Sequence, residues 1–231
     1  MQALQAVIFD FDGVIANSEP LHLRAFQETL AARELSLTPA EYYERYLGYD
    51  DVGAFGHFFA DRALALDPAG IQALVADKEA RMQALMAGSA VLYPGAAAFI
   101  RACAGHVPIA IASGATRHEI EEILQSAGLA GAFPVIVAAG ETPEGKPSPQ
   151  PYRRAFDLLQ QRAGTVRDTA RCVAIEDSHW GMASALGAGL RCVGLTTSYA
   201  AEALPHAELL AGGLGELTIE MLDTLAARPL V

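Results

Sequence analysis

Cysteine is scarce in this sequence: Cys103, Cys172 and Cys192 are all it holds, an odd number without paired or metal-ligand spacing. That argues against a disulfide framework or a cysteine metal centre. Cys172 and Cys192 lie in apolar strand-like runs, "RCVAIED" and "RCVGL", so buried free thiols are expected. No apolar run approaches the roughly 18 residues that would span a bilayer. The start also lacks the basic flank and apolar stretch of a signal peptide, so cytoplasmic residence without a membrane partner is expected. Positive charge is sparse too, with 16 basic against 27 acidic residues, a formal net charge of −11, and no basic run. Nucleic acid and anionic membranes are thereby disfavoured as partners. An anionic substrate would need a metal ion or a locally placed lysine to bind here. No internal repeat or low-complexity segment appears.

What remains is a chain of 231 residues, 52% hydrophobic and 19% charged, long enough for one full core plus a smaller insert. The segments 6–11, 107–114, 133–140, 171–177 and 191–197 are short, β-branched and nearly continuously apolar. Strands apolar on both faces belong in a parallel sheet covered on both sides. Helical patterns separate them, as in "TRHEIEEILQSAGL", where Ile120, Ile123, Leu124 and Ala127 recur at three- and four-residue steps before Gly128. The expectation is a doubly wound, Rossmann-like α/β core whose ligand site lies beyond the carboxyl ends of the strands. Residues 17–88 break the alternation with four helical segments and no convincing strand. We read them as an all-helical domain inserted into a core of residues 1–16 and 89–231, with crossings near 16–18 and 86–90.

Polar residues gather at the expected strand ends. Asp10 and Asp12 close the first strand, Ser113 and Gly114 the second, Lys146 lies in the loop after the third, and Glu176 and Asp177 close the fourth. A single such residue is more often a helix cap or turn former. Several acids converging on one crevice repel one another unless something cationic joins them. Two-residue spacing on an extended chain sends Asp10 and Asp12 to one face, and Gly13 permits the tight turn that follows. Hard carboxylate oxygens with no histidine or cysteine nearby suit Mg²⁺. A rival motif, "GETPEGKP" at 140–147, nearly matches a phosphate-cradling nucleotide loop, but Pro147 replaces the hydroxyl that such a loop needs.

The order of these sites, "DFDGV", "SG", "GKPSP" and "IEDS" with "GMASALGAG", resembles the haloacid dehalogenase superfamily, specifically its capped phosphatase and β-phosphoglucomutase-like branch. The resemblance covers nearly the whole chain and implies that 17–88 is a cap domain. It implies Asp10 as nucleophile forming an aspartyl-phosphate, Asp12 as general acid and base, and Lys146 as the cation that neutralises the transferring group and pairs with Asp10. Ser113 and the Gly114 amide would bind a phosphoryl oxygen. Mg²⁺ would be held by Asp10, the Asp12 carbonyl and Asp177, with Glu176 a ligand or a partner through water. Asp12 separates this chain from dehalogenase members, which lack the second acid. The phosphonate-cleaving branch needs a cap lysine, and Lys78, the only one in 17–88, is expected to be a solvated helix residue or at most a substrate contact.

Substrate choice turns on the cap. Ser18 and His22 in "NSEPLH" match the hinge region of the mutase-like subgroup. Asp51 stands where a mutase-like arginine for a second phosphate is sought, and Tyr49 and Asp50 are candidate specificity contacts. Eleven acids against six bases (Arg24, Arg33, Arg45, Arg62, Lys78, Arg81) suit a second phosphate poorly. The expected function is a Mg²⁺-dependent phosphatase of a small phosphorylated metabolite, a sugar phosphate or phosphoglycolate-like monoester, acting as a monomer or weak homodimer. The alternatives are a sugar-phosphate mutase and a non-catalytic binding protein of the same fold.

Overall fold

The computed structural model describes residues 3–47, 49–86 and 91–229, and the chain divides into two compact units, Met1–Asn17 with Val91–Val231, and Ser18–Ala90. The second crossing, expected near 86–90, falls almost wholly outside the described residues, as does Gly48 in the cap loop.

In the larger unit six parallel strands form one sheet: β1 (Ala6–Phe9), β2 (Ile109–Ala112), β3 (Val135–Val137), β4 (Cys172–Glu176), β5 (Arg191–Leu195) and β6 (Leu209–Ala211), in the order β3-β2-β1-β4-β5-β6. Every residue of β1, β2, β4 and β5 is buried, which is why these strands are apolar in succession rather than alternating, save for Glu176 at the end of β4 and Arg191 at the start of β5. β1 is central, pairing Val7 with Ile109 on one side and with Val173 on the other. The strand order therefore reverses at β1, and a crevice opens at the carboxyl ends where the chain departs in both directions. Helices α5 (Ala96–Ala104), α6 (Arg117–Ser126), α7 (Gln150–Ala163), α8 (His179–Gly187) and α9 (Ile219–Ala227) belong to this unit. Tyr152, Ala155 and Leu159 of α7 and Met182 and Ala185 of α8 share one core cluster with Ile8, Cys172 and Cys192. All three cysteines are free and buried, and burial pushes the thiols of Cys103 and Cys172 up to about 12.

Near the start of the chain, the backbone amides of Ala3 and Leu4 donate to Asp223 Oδ1 of α9 at 2.8 and 2.9 Å. The Leu4 amide foremost, with burial opposing and the Ala3 amide adding, holds the Asp223 carboxyl below its ordinary value of 3.8. A carboxyl whose folded pKa is depressed stabilises the fold above the unfolded pKa and loses that contribution as pH falls through the folded one. Asp223→Ala is therefore expected to lower the melting temperature at pH 7 by roughly 3–6 °C, for a loss of about 1–2 kcal/mol. In thermal scans the gap from wild type should narrow once pH drops below about 4.

The smaller unit contains α1 (Glu19–Ala31), α2 (Pro39–Arg45), α3 (Asp51–Asp61) and α4 (Pro68–Met86), and no strand occurs among its described residues. Its core joins Phe26 and Leu30 of α1, Tyr42 of α2, Phe55 and Phe58 of α3 and Leu74 of α4. Phe26 and Phe55 pack with ring centroids 4.7 Å apart. Thr38 caps α2 by accepting from the Glu41 amide, and Asp50 caps α3 by accepting from the Gly53 amide at 2.7 Å.

Lys78 departs from expectation: it is 2% exposed, not solvated. It sits on the buried stripe of α4 formed with Leu74, Met82 and Met86, so four-residue periodicity carries it inward. Its ammonium is satisfied there by both Asp51 oxygens, at 2.8 and 2.9 Å, and by His22 Nδ1 at 2.7 Å, 5.1 Å from the Phe26 ring centroid.

No helix among the described residues is long and apolar enough to cross a membrane.

Candidate active site

β1 ends at Phe9, one residue before the first acid, so Asp10 through Gly13 form the exit turn rather than extended strand. Asp10 still extends the ladder, its amide donating to the Ile175 carbonyl at 2.9 Å. Beyond it, the Gly13 amide donates to the Ala16 carbonyl at 2.9 Å, and Asp12, half-buried, bridges to Ala16. Gly13 has φ +75, and a Cβ there would lie 1.8 Å from Asp177 Oδ2. Glycine is required twice over, by backbone conformation and by the carboxylate that fills its side-chain space.

Asp10, Glu176 and Asp177 are all buried, each offering a carboxylate oxygen within 4.8 Å of the others. Lys146 Nζ lies 2.7 Å from Asp10 Oδ1 and 2.6 Å from Glu176 Oε1. Glu176 is further held by the Tyr152 hydroxyl, which donates to Oε1 at 2.6 Å, and by the Ser178 hydroxyl at 3.2 Å from Oε2. Burial alone would lower the Lys146 pKa, but the Asp10 and Glu176 carboxylates reverse this and raise it, so Lys146 is a fixed cation. Burial, then the charge of Asp10, raises Glu176. Burial, followed by the charges of Asp10 and Glu176, pushes Asp177 up to about 8, against a lowering hydrogen bond from Ser198. Three carboxylates thus crowd together, and two of them, Asp10 and Glu176, pair with one ammonium.

The small residues of "GMASALGAG" explain how this cluster is backed. A Cβ on Gly181 would fall 2.0 Å from the Glu176 carboxylate. Ser184 of α8 donates its hydroxyl to the Ser148 carbonyl at 2.5 Å, and a Cβ on Gly187 would lie 3.2 Å from Pro149. Helix α8 therefore fits closely against both Glu176 and the segment that follows Lys146. The Ser178 hydroxyl also caps that helix, accepting from the Gly181 amide at 3.1 Å.

At the end of β2, Ser113 is 5% exposed and its Oγ accepts from the Ala115 amide at 3.0 Å. Gly114 is exposed, and a Cβ there would meet no atom within 4 Å. The smaller unit carries the other candidates. Ser18 is buried at the start of α1, its carbonyl accepting from the Leu21 and His22 amides. Half-buried His22 contacts Lys78. Exposed Tyr49 stacks on His57 with centroids 4.1 Å apart, Asp50 caps α3, and Asp51 pairs with Lys78.

Three residues at the site escape sequence reasoning: Tyr152, Thr197 and Ser198. Tyr152 reads as one more apolar position of α7. Thr197 and Ser198 follow β5 and obey the strand-end rule that found the others; the Thr197 hydroxyl donates to the Gly13 carbonyl at 2.5 Å.

A doubly wound sheet with buried carboxylates around one lysine at the strand ends defines a class, and comparison names it. A family model for haloacid dehalogenase-like hydrolases matches residues 4–189. The chain belongs to that family. The protein CbbY of Rhodobacter capsulatus is 33% identical over 205 residues, 85% of this chain and 87% of that protein. A phosphoglycolate phosphatase of Neisseria meningitidis is 28% identical over 214 residues, 86% of this chain and 83% of that one. The crystal structure of CbbY from Rhodobacter sphaeroides in complex with phosphate superposes with a TM-score of 0.82 at 31% identity, covering 95% of this chain and 99% of that one. Within its family the chain is an enzyme, a phosphatase of the type these relatives represent.

Proposed function

We propose that this phosphatase hydrolyses a small phosphate monoester with Mg²⁺ as cofactor, through an aspartyl-phosphate on Asp10. One observation carries the reading: Asp10, Glu176 and Asp177 offer oxygens within 4.8 Å of one another, and a single ammonium, that of Lys146, pairs with the first and second of them. Their donor set fits a hard divalent cation, being all oxygen, buried, and short of positive charge. Asp10 and Asp177 would hold it with the Asp12 carbonyl. Glu176, already bonded to Lys146, Tyr152 and Ser178, acts mainly to fix the lysine. When bound, Mg²⁺ supplies neutralising charge for an incoming phosphate.

Asp10 attacks phosphorus and displaces the alcohol. Asp12, on the turn beyond it, gives a proton to the leaving oxygen and later takes one from the attacking water. Lys146 stabilises negative charge on the transferring group. Ser113 accepts from the Ala115 amide, which leaves its O–H to donate to a phosphoryl oxygen, with the Gly114 amide beside it.

Each of the six bases of residues 18–86 is ion-paired within its own unit: Arg24 with Glu28, Arg33 and Arg81 with Asp77, Arg45 with Asp61, Arg62 with Glu41 and Lys78 with Asp51. A second phosphate would have to displace a carboxylate to gain a cation there, which favours substrates carrying one phosphate. A second reading, a sugar bisphosphate, is favoured by the Rhodobacter sphaeroides CbbY variant solved in complex with xylulose-(1,5)bisphosphate, at 31% identity and TM-score 0.82.

Phosphate release from a panel of sugar monophosphates, phosphoglycolate and a sugar bisphosphate tests these readings together. Monophosphates should turn over with Mg²⁺ and not with EDTA, and Asp10→Asn should lose about 10³-fold or more in kcat. Appreciable turnover by that variant removes Asp10 as nucleophile. Isomerised product without phosphate release would mark a mutase instead, and turnover confined to the bisphosphate would select the second reading.

A further inference from the structure

We propose that Thr197 and Ser198, at the exit of β5, are positioning residues whose hydroxyls clamp the Gly13 turn and the Asp177 carboxylate together and so preset the divalent-cation site. This rests on the Mg²⁺ reading above and adds to it a segment outside the four motifs.

Two hydroxyls, adjacent in sequence, reach two different loops. Thr197 Oγ1 donates to the Gly13 carbonyl at 2.5 Å, across 184 residues. Ser198 Oγ and Asp177 Oδ2 border the same side-chain space of Gly13, and the Ser198 hydroxyl is one of the groups that lower the Asp177 carboxyl. The two contacts converge at Gly13, where an added Cβ would lie 1.8 Å from Asp177 Oδ2 and 2.7 Å from Ser198 Oγ. An independent contact ties the same loops: Tyr199 meets His179 edge to face, with centroids 5.7 Å apart and planes at 82°. His179 follows Asp177 and Ser178, so the β5 exit grips the β4 exit at two points.

A clamp is needed because Asp177 stands beside two other carboxylates. Lys146 is engaged by Asp10 and Glu176, leaving Asp177 without an ion-pair partner of its own at that lysine. A hydroxyl can orient Asp177 without bringing a second positive charge that would compete with the metal. Thr197, meanwhile, fixes the carbonyl next along the chain from Asp12, whose own carbonyl is the candidate ligand. Ser198 is exposed, so its removal leaves no cavity in the core.

The test is calorimetric titration of MgCl₂ into the metal-free full-length chain, for wild type, Ser198→Ala, Ser198→Thr, Thr197→Val and Thr197→Ser. Loss of either hydroxyl should weaken Mg²⁺ binding by about tenfold or more, while the conservative variants stay near wild type. At saturating Mg²⁺ most of the kcat should return, with the activation constant for Mg²⁺ raised and the substrate KM little changed. Metal-free melting of Ser198→Ala should match wild type, which a merely structural role would not predict alongside weakened binding. If wild type binds Mg²⁺ and Ser198→Ala binds it within twofold, the clamp is overturned and the metal reading stands. If wild type itself gives no binding heat and no Mg²⁺-dependent rise in melting temperature, the metal reading fails and takes the clamp with it. Should Thr197→Val not fold, the Ser198 pair decides alone.

Discussion

Lys146→Met should reduce kcat by about 10²–10³-fold while leaving a folded protein that Mg²⁺ stabilises more than it stabilises wild type. Methionine preserves the length and much of the apolar stem, so the change isolates the ammonium. That ammonium lies 2.7 Å from Asp10, 2.6 Å from Glu176 and 5.1 Å from the Tyr152 ring centroid. Without it Glu176, fully buried, keeps only the Tyr152 and Ser178 hydroxyls, and Asp10 loses its ion pair with Lys146. Breaking one side of a buried pair leaves an uncompensated charge, at about 3–5 kcal/mol. Because three carboxylates then remain together, a divalent cation offsets more repulsion than in wild type. Thermal scans with and without Mg²⁺ and a phosphate-release assay measure the two effects. Turnover within tenfold of wild type would remove Lys146 from the chemistry, and an unchanged Mg²⁺ shift would mean that it does not share the metal's carboxylates.

The parallel sheet was legible because its strands are buried on both faces, which writes unbroken apolar runs such as "AVIF", "IAIA" and, before Glu176, "CVAI". β6 and α9 were not read. β6 has three residues at the sheet edge with Leu210 exposed, too short and too mixed to carry a period. Lys78 was misread because its charge was weighed and its register was not. Four residues from Leu74 and four from Met82, it shares their face, and Asp51, 27 residues earlier at the start of α3, makes that burial tolerable. Residue type alone cannot reveal a partner supplied by another helix.

At the site, legibility followed the strand ends. Asp10, Ser113, Glu176 and Asp177 could be gathered on paper since doubly wound topology brings those ends to one edge. The same rule reaches Thr197 and Ser198, and "LTTS" after β5 held the signal. Tyr152 had none: it occupies an apolar helix position beside Ala155 and Phe156, and only the fold turns its hydroxyl onto Glu176. β1 itself stops at Phe9, so both Asp10 and Asp12 lie on the segment that leaves the strand.

Gly13→Ala concentrates these relations in one methyl group and should be the most damaging substitution that alters no polar atom. An alanine at φ +75 costs about 1 kcal/mol in backbone strain. The steric term is larger, because the methyl would sit 1.8 Å from Asp177 Oδ2 and 2.5 Å from its carboxyl carbon, so one of them must move. The turn is tied by the Gly13 amide to Ala16 and by its carbonyl to Thr197, whereas Asp177, directly after β4, can yield by rotating its side chain away from Ser198. Asp177 should therefore swing away and lose its place beside Asp10. The expected result is Mg²⁺ affinity weakened by about 10²-fold, beyond the effect of Ser198→Ala, because a ligand is displaced rather than loosened. Turnover should fall with it and recover only in part at high Mg²⁺. Melting temperature in EDTA should drop modestly, since removing a carboxylate from a crowded group relieves repulsion and offsets some of the strain. Calorimetric Mg²⁺ titration beside a melting scan in EDTA separates these outcomes. Near-wild-type affinity in a folded Gly13→Ala protein would mean that the turn yields instead of Asp177, and that the site tolerates a displaced Asp12.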